Sequence, residues 1–238
     1  MRGGTSQNAR RSWLDPRVFA TLRSRTLQTT VYLVGHGVTD WHREGKLAGQ
    51  RDVALNDEGI AQGQAAAAKL GSIAVAEVLS SPLLRALQTA EIIGQRFGIE
   101  VARDPRLTDI RVGQWEGMTY EQISASEDYR RFLADPEGER IPGGERLDEV
   151  RRRAVAAIEQ CLGDNPSGDG IAVVSHPGVI RLLIAHYMGG PLTSFHRIHI
   201  GPGAVSALGF PGDGTAPALL AVNASCDLSQ IGHRGELP

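Results

Sequence analysis

Cysteine is nearly absent from this chain: Cys161 and Cys226 are the whole supply among 238 residues. They stand far apart and outside any Cys-x-x-Cys pattern, which argues against a disulfide framework and a thiolate zinc centre and suits a reducing cytoplasm. Long apolar runs are absent too. No stretch approaches the ~20 residues needed to cross a bilayer, and the N-terminus has no hydrophobic segment of a secretory signal, so a cytoplasmic protein with no membrane partner is expected. Nor is there a large charge of one sign. A formal net charge of -2 gives no general attraction to nucleic acid. What is present, 41% hydrophobic and 22% charged residues, is the composition of an ordinary globular protein with one full core, not of a disordered or fibrous one.

The charge that exists is unevenly placed. Residues 1–29 hold Arg2, Arg10, Arg11, Arg17, Arg23 and Arg25 against the single acid Asp15. Trp13, Leu14, Val18, Phe19 and Leu22 have helix-like spacing, so this basic N-terminal extension either docks on the domain or frays. The domain proper is read as residues 30–225, and residues 226–238 as a C-terminal tail.

From Thr30 onward, short β-branched runs alternate with longer amphipathic stretches, the pattern of an α/β protein. Strands are predicted at 30–34, 76–80, 99–102 and 170–175, and closing strands at 196–200, 203–210 and 217–222. Helices are predicted at 58–70 behind the cap Asn56-Asp57, at 81–97 opened by Ser81-Pro82, at 145–162, and at 177–188. In the third of these Leu147, Val150, Ala154, Ala157, Ile158 and Cys161 share one face, which makes Cys161 a core residue. Residues 104–144 are rich in turns and read as an excursion, with short helices at 120–124 and 128–133, of the kind that shapes a pocket. The expected fold is α/β: a three-layer sandwich with a mostly parallel central sheet flanked by helices.

Two of the apolar runs end in histidine. Val31-Tyr32-Leu33-Val34 leads into Gly35-His36-Gly37, and Ile171-Ala172-Val173-Val174-Ser175 leads into His176. In an open parallel sheet both imidazoles would lie on the carboxyl edge, where such sheets keep their chemistry. The glycines flanking His36 leave room for close approach, and imidazole serves as base, ligand or nucleophile near neutral pH. Arg85, early in the helix after the second strand, is placed to bring permanent planar charge to that edge. Asp109 offers a carboxyl that can supply a proton, with Glu116 as a rival. Thr39 either binds an anion or caps its loop.

These residues resemble the histidine phosphatase superfamily, also called the phosphoglycerate mutase-like family. Gly35-His36-Gly37-Val38-Thr39 is similar to the family's Arg-His-Gly-x-Thr, and Asp52, Leu55, Gly59 and Gln62 fit its next segment. Ser80-Ser81-Pro82-Leu83-Leu84-Arg85-Ala86 with Gln88-Thr89-Ala90 follows its S-S-P-L-x-R-A-x-Q-T-A block. Leu107-Thr108-Asp109 with Gly113-Gln114-Trp115-Glu116-Gly117, then Pro142-Gly143-Gly144-Glu145 and Val174-Ser175-His176, complete the order over roughly residues 30–210. The resemblance implies a phosphohistidine on His36, proton supply by Asp109, and oxygen-binding roles for Arg85 and His176. It further implies a small phosphorylated substrate, no metal and no cofactor. The compact length and the Trp-Glu-Gly block are more like the hydrolase branch than the glycolytic mutases.

The chain departs from the family around the expected phosphate pocket. Gly35 stands for the family's arginine, Pro177 for the glycine after the second histidine, and His42 for a frequent asparagine. One cation and one backbone N–H donor are thereby lost. Arg51, Arg43 or Lys46, in the loop after His36, are candidates to restore the charge, so Gly35, Gly37, Thr39, His42, Arg51 and Pro177 form the expected substrate-binding set. Three readings stay open at this point. They are a phosphomonoesterase of altered efficiency, a relative that applies the same histidines and acid to elimination or isomerisation, and a non-catalytic binding module. A homo-oligomer is also left open.

Overall fold

The computed structural model describes residues 27–71, 73–165 and 167–224. Its centre is made where the sequence is apolar without interruption. Strands β1 (Leu27–Gly35) and β4 (Gly170–Ser175) pair in parallel, and nearly every residue of both is buried. That is the signature of a strand covered on both faces. β2 (Val75–Ser80) and β3 (Val101–Arg103) extend the parallel sheet beyond β4, while β5 (Val205–Pro211) and β6 (Ala218–Ala221) extend it beyond β1. The order is β3-β2-β4-β1-β5-β6, with antiparallel pairing only for β1–β5 and β5–β6 among the described strands.

Side-chain alternation along β1 divides the core into two layers. Tyr32 and Val34 pack with Ala66 and Ala67 of α2 (Asp57–Lys69), with its C-cap Leu70, and with Ala86, Ala90 and Ile93 of α3 (Leu84–Phe97). Val31 and Leu33 pack on the other face with α6 (Leu147–Asp164) and α7 (Pro177–Tyr187). Each fully buried aliphatic side chain contributes about 1.5–3 kcal/mol, so this three-layer core fixes the sheet against which the site is built. The small helices α1 (Asp40–Arg43), α4 (Tyr120–Ser124) and α5 (Glu127–Ala134) lie in the loop after β1 and in the excursion. Among the described residues no helix is long and apolar enough to cross a membrane.

Four expectations need correction. β1 begins at Leu27, not Thr30, because Leu27 and Thr29 pair with the far end of β5. The third helix starts at Leu147, two residues after Glu145, whose buried carboxylate instead accepts from Arg111 N–H and Arg153. Ser81-Pro82 does not open α3. Leu83 is still extended there, and the Asp52 carboxylate accepts the Leu84 N–H at 2.9 Å, so the helix is capped from a distant loop. Leu84 is consequently exposed while Arg85, Ala86, Thr89 and Ile93 face inward. Residues 196–200 are not a strand either. Leu192–Arg197 is a 3₁₀ helix, whose three-residue repeat lets Leu192 and Phe195 bury together against α7. The hydrophobic positions of the basic extension, and the tail at 226–238, lie outside the described residues.

Candidate active site

Register brings the two histidines together. Gly35 pairs with Ser175, and the His36 N–H donates to the Ser175 carbonyl at 3.0 Å, so the next residues of β1 and β4 leave the sheet side by side. Their rings are 5.1 Å apart, edge to face. β1 and β4 feed helices on opposite faces of the sheet, the arrangement that opens a crevice at the strand ends.

His36 is almost completely buried, and its tautomer follows from its partners. Nδ1 lies 2.8 Å from the Gly37 carbonyl, which can only accept, and Nε2 receives the Arg85 Nε–H at 3.2 Å. Nδ1 therefore carries the proton and Nε2 presents a lone pair. Burial, followed by the charges of His176 and Arg85, holds this imidazole well below the usual histidine value, so it is neutral at pH 7.

Arg85, only 1% exposed, is the hub. Besides His36 it donates to the carbonyls of Arg51 and Gly49, each at 2.8 Å, and to Asp109 Oδ2 at 2.9 Å. Asp109 Oδ1 accepts the Ile110 N–H, and its backbone carbonyl is held by Gln50 and by Arg153, which also clamps the carbonyls of Arg106 and Thr108. His176 is wholly covered. Its Nε2 faces Ser81 Oγ at 2.9 Å, while Nδ1 has no hydrogen-bond partner among the described residues and lies 3.5 Å from Asp109 Oδ2. Burial and the Arg85 charge hold it, too, well below the ordinary value.

His36, Arg85 and Asp109 line one end of a cavity of about 190 Å³, a volume suited to a small molecule. His42 and Pro177 line it as well, with the His42 ring 5.4 Å from that of His36. The remaining wall comes from the excursion, with Ile110, Trp115, Tyr129 and Phe132, and from Phe195.

Other expected residues are used differently. Gly37 does not open room for a ligand: a Cβ there would stand 2.3 Å from the Gly59 carbonyl oxygen, and its N–H donates to Thr89 Oγ1. Gly35 faces the Gly201 backbone, with a Cβ 3.0 Å from that carbonyl oxygen. Thr39 caps α1 through the His42 N–H. Arg51 and Arg43 turn outward to Glu116 and Glu58, so Arg51 serves the site through its carbonyl alone. Lys46 lines the cavity but is paired with Glu44 at 2.6 Å. Glu116 is engaged by Arg51 and by the Gln50 N–H, outside the cavity wall.

Arg181 was not anticipated, although it lines the cavity from α7. It is the one charged residue in the apolar run 179–185, one turn beyond Pro177, and that isolation was the available signal. Ser81, the partner of His176, was visible only as part of a motif. Among the described residues no cluster of three or more His, Cys, Asp or Glu side chains could hold a metal ion.

Residues 31–224 match the family model "Histidine phosphatase superfamily (branch 1)". A protein described as probable phosphoglycerate mutase GpmB, from Cronobacter sakazakii, is 35% identical over 173 residues, 71% of this chain and 80% of its own length. A mycobacterial glucosyl-3-phosphoglycerate phosphatase, solved with VO3, superposes with a TM-score of 0.75 at 29% identity, covering 83% of this chain and 100% of that one. A phosphoserine phosphatase mutant from Entamoeba histolytica in complex with phosphoserine gives a TM-score of 0.74 at 27% identity, covering 82% and 97%.

Proposed function

The chain belongs to the histidine phosphatase superfamily, and from that premise we infer that it hydrolyses small phosphomonoesters through a phosphohistidine on His36. One observation carries this reading: a buried, neutral His36 whose Nδ1 proton is fixed on the Gly37 carbonyl and whose Nε2 lone pair stands beside the Arg85 guanidinium on the cavity wall.

In the first step Nε2 attacks phosphorus. The P–N bond forms as the ester P–O bond breaks, and Asp109, in its protonated form, passes its proton to the departing oxygen. A phosphoryl oxygen replaces His36 as the partner of Arg85 Nε, so the cation that guards the lone pair becomes the clamp for the developing charge. His176 Nδ1, which has no hydrogen-bond partner among the described residues, is the second donor, with Ser81 Oγ fixing the far side of its ring. In the second step Asp109 takes a proton from water, the water oxygen bonds to phosphorus, the P–N bond breaks and phosphate leaves.

Gly35 stands where the family has a cation, and among the described residues no side chain beyond Arg85 brings positive charge into contact with His36, which predicts a slow or narrow enzyme. The test is release of inorganic phosphate from a panel of phosphomonoesters, with an alkaline quench and mass spectrometry for an acid-labile phosphoryl group. Turnover with label on His36, both lost in His36→Ala, supports the reading. Release that survives His36→Ala overturns it, and transfer of label to an added glycerate in preference to water makes the chain a mutase.

A further inference from the structure

Exposed apolar side chains gather at one place on the surface. Met188, Leu219 and Val222 are 41%, 36% and 39% exposed, and they are three of the seven large hydrophobics left open among the described residues. All three line a single hollow of about 410 Å³, together with Ile184, Ala185 and Ile198, on the outer side of α7 and β6. Scattered singly such residues need no explanation; gathered in one hollow they mark a contact surface.

The chain itself supplies an occupant. α7 starts behind His176 at the edge of the sheet that carries the site and runs back to the opposite edge, where β1 begins. There the Tyr187 ring lies 5.1 Å from that of Phe210, and Phe210 pairs with Thr29. The end of α7 and the entry of the chain at Leu27 therefore share one corner of the molecule. From β1 across β5 to β6 is two strand spacings, ~10 Å, and the residues between Leu22 and Leu27 span up to ~17 Å when extended. Leu22 can reach the hollow. Behind Asp15-Pro16, Val18, Phe19 and Leu22 stand at i, i+1 and i+4, the spacing with which an amphipathic helix fills a groove. The extension is strongly basic while the whole chain has a net charge of -2, so the rest of the chain is acidic and attracts it. A second copy fits worse. It would bring the same hollow to the contact and no ridge to fill it, and three part-exposed side chains fall well short of the ~800 Å² per partner of a stable pair.

We propose that residues 13–22 of this chain seat in this hollow, with Val18, Phe19 and Leu22 on one helical face against Met188, Leu219 and Val222. The family match begins at residue 31, so this contact is added to the shared domain. It borders the catalytic side as well, because the 3₁₀ helix Leu192–Arg197 gives Arg197 to the hollow and Phe195 and His196 to the cavity. The intact chain, with the photoreactive side chain of benzoylphenylalanine in place of Phe19, is irradiated in dilute solution, and crosslinked peptides are mapped by mass spectrometry. Crosslinks should join position 19 to residues 184–188, 198–199 or 218–222 of the same molecule, and Leu219→Glu, a change at an exposed position, should lower their yield about tenfold. In the unlabelled chain, Phe19→Asp should speed amide hydrogen exchange at 184–190 and 218–222 about tenfold, while the central strands at 31–34 and 171–174 keep their rates. Crosslinks that join two copies, that fall on 225–238 or elsewhere in the domain, that ignore Leu219→Glu or that do not form overturn the proposal. Exchange at the hollow that is indifferent to Phe19→Asp overturns it too. Absence of hydrolysis would sink the proposed function and leave both readouts untouched.

Discussion

Arg85 and Arg181 look into one cavity from opposite layers of the fold, and they are held in opposite ways. Arg85 sits at the start of α3 with four acceptors around its guanidinium, three of them backbone carbonyls or the His36 ring, so its position is imposed by the chain itself. Arg181 sits on α7 against an aromatic ring, with no acceptor among the described residues. The difference is one of preorganisation: the fold fixes every donor direction of Arg85, whereas the Phe195 ring is what the Arg181 guanidinium rests on among the described residues.

The largest effect that would break this comparison is expected at Arg85. Arg85→Lys keeps the charge but cannot reach Nε2 of His36, Asp109 and two carbonyls together, so kcat should fall about a thousandfold for every phosphomonoester alike. A loss that depended on the alcohol would contradict a position fixed by the fold alone. Next comes packing at the two cavity edges. Gly37→Ala drives a Cβ into the Gly59 backbone and should cost about 2–4 kcal/mol in denaturant unfolding. Gly178→Ala meets side-chain atoms rather than backbone, the tip of Ile110 at 2.8 Å first, and should cost less. Equal losses would mean that the phosphoryl end is no more rigid than the other.

A smaller change tests how the acid is positioned. Arg153→Gln releases the carbonyls of Arg106, Thr108 and Asp109, and should lower kcat about tenfold with KM nearly unchanged. A rise in KM alone would move Arg153 from positioning to binding. Smallest per step is the pH effect. His36 and His176 are held well below the ordinary histidine value by burial, so between that lowered value and ~6.5 the unfolded chain binds protons that the folded one refuses. Stability should therefore fall as pH drops below ~6.5, by up to ~1.4 kcal/mol per pH unit for each histidine, and His176→Gln should flatten the slope. A melting temperature that rises on acidification would contradict the neutral assignment.

The sheet and the pairing of His36 with His176 were legible because an uninterrupted apolar run marks a central strand and the residue after it marks the sheet edge. Arg181 was hidden, since a lone arginine in an apolar helix says nothing of which way that helix is turned until its partners are known. Arg51 and Gly37 show the converse. Closeness in sequence to His36 suggested that they touch the ligand, but the Arg51 side chain turned to Glu116, and Gly37 turned out to be required by the backbone of Gly59. A strand is expected at 196–200, but Leu192 and Phe195 bury through a three-residue repeat that begins earlier and runs to Arg197.

The stereochemical course at phosphorus tests the central claim most directly. With a substrate made chiral at phosphorus by oxygen isotopes and a transfer to an alcohol acceptor, attack by His36 followed by attack on the phosphohistidine inverts the centre twice. The account predicts overall retention; inversion would show a single direct displacement in which His36 never carries the phosphoryl group.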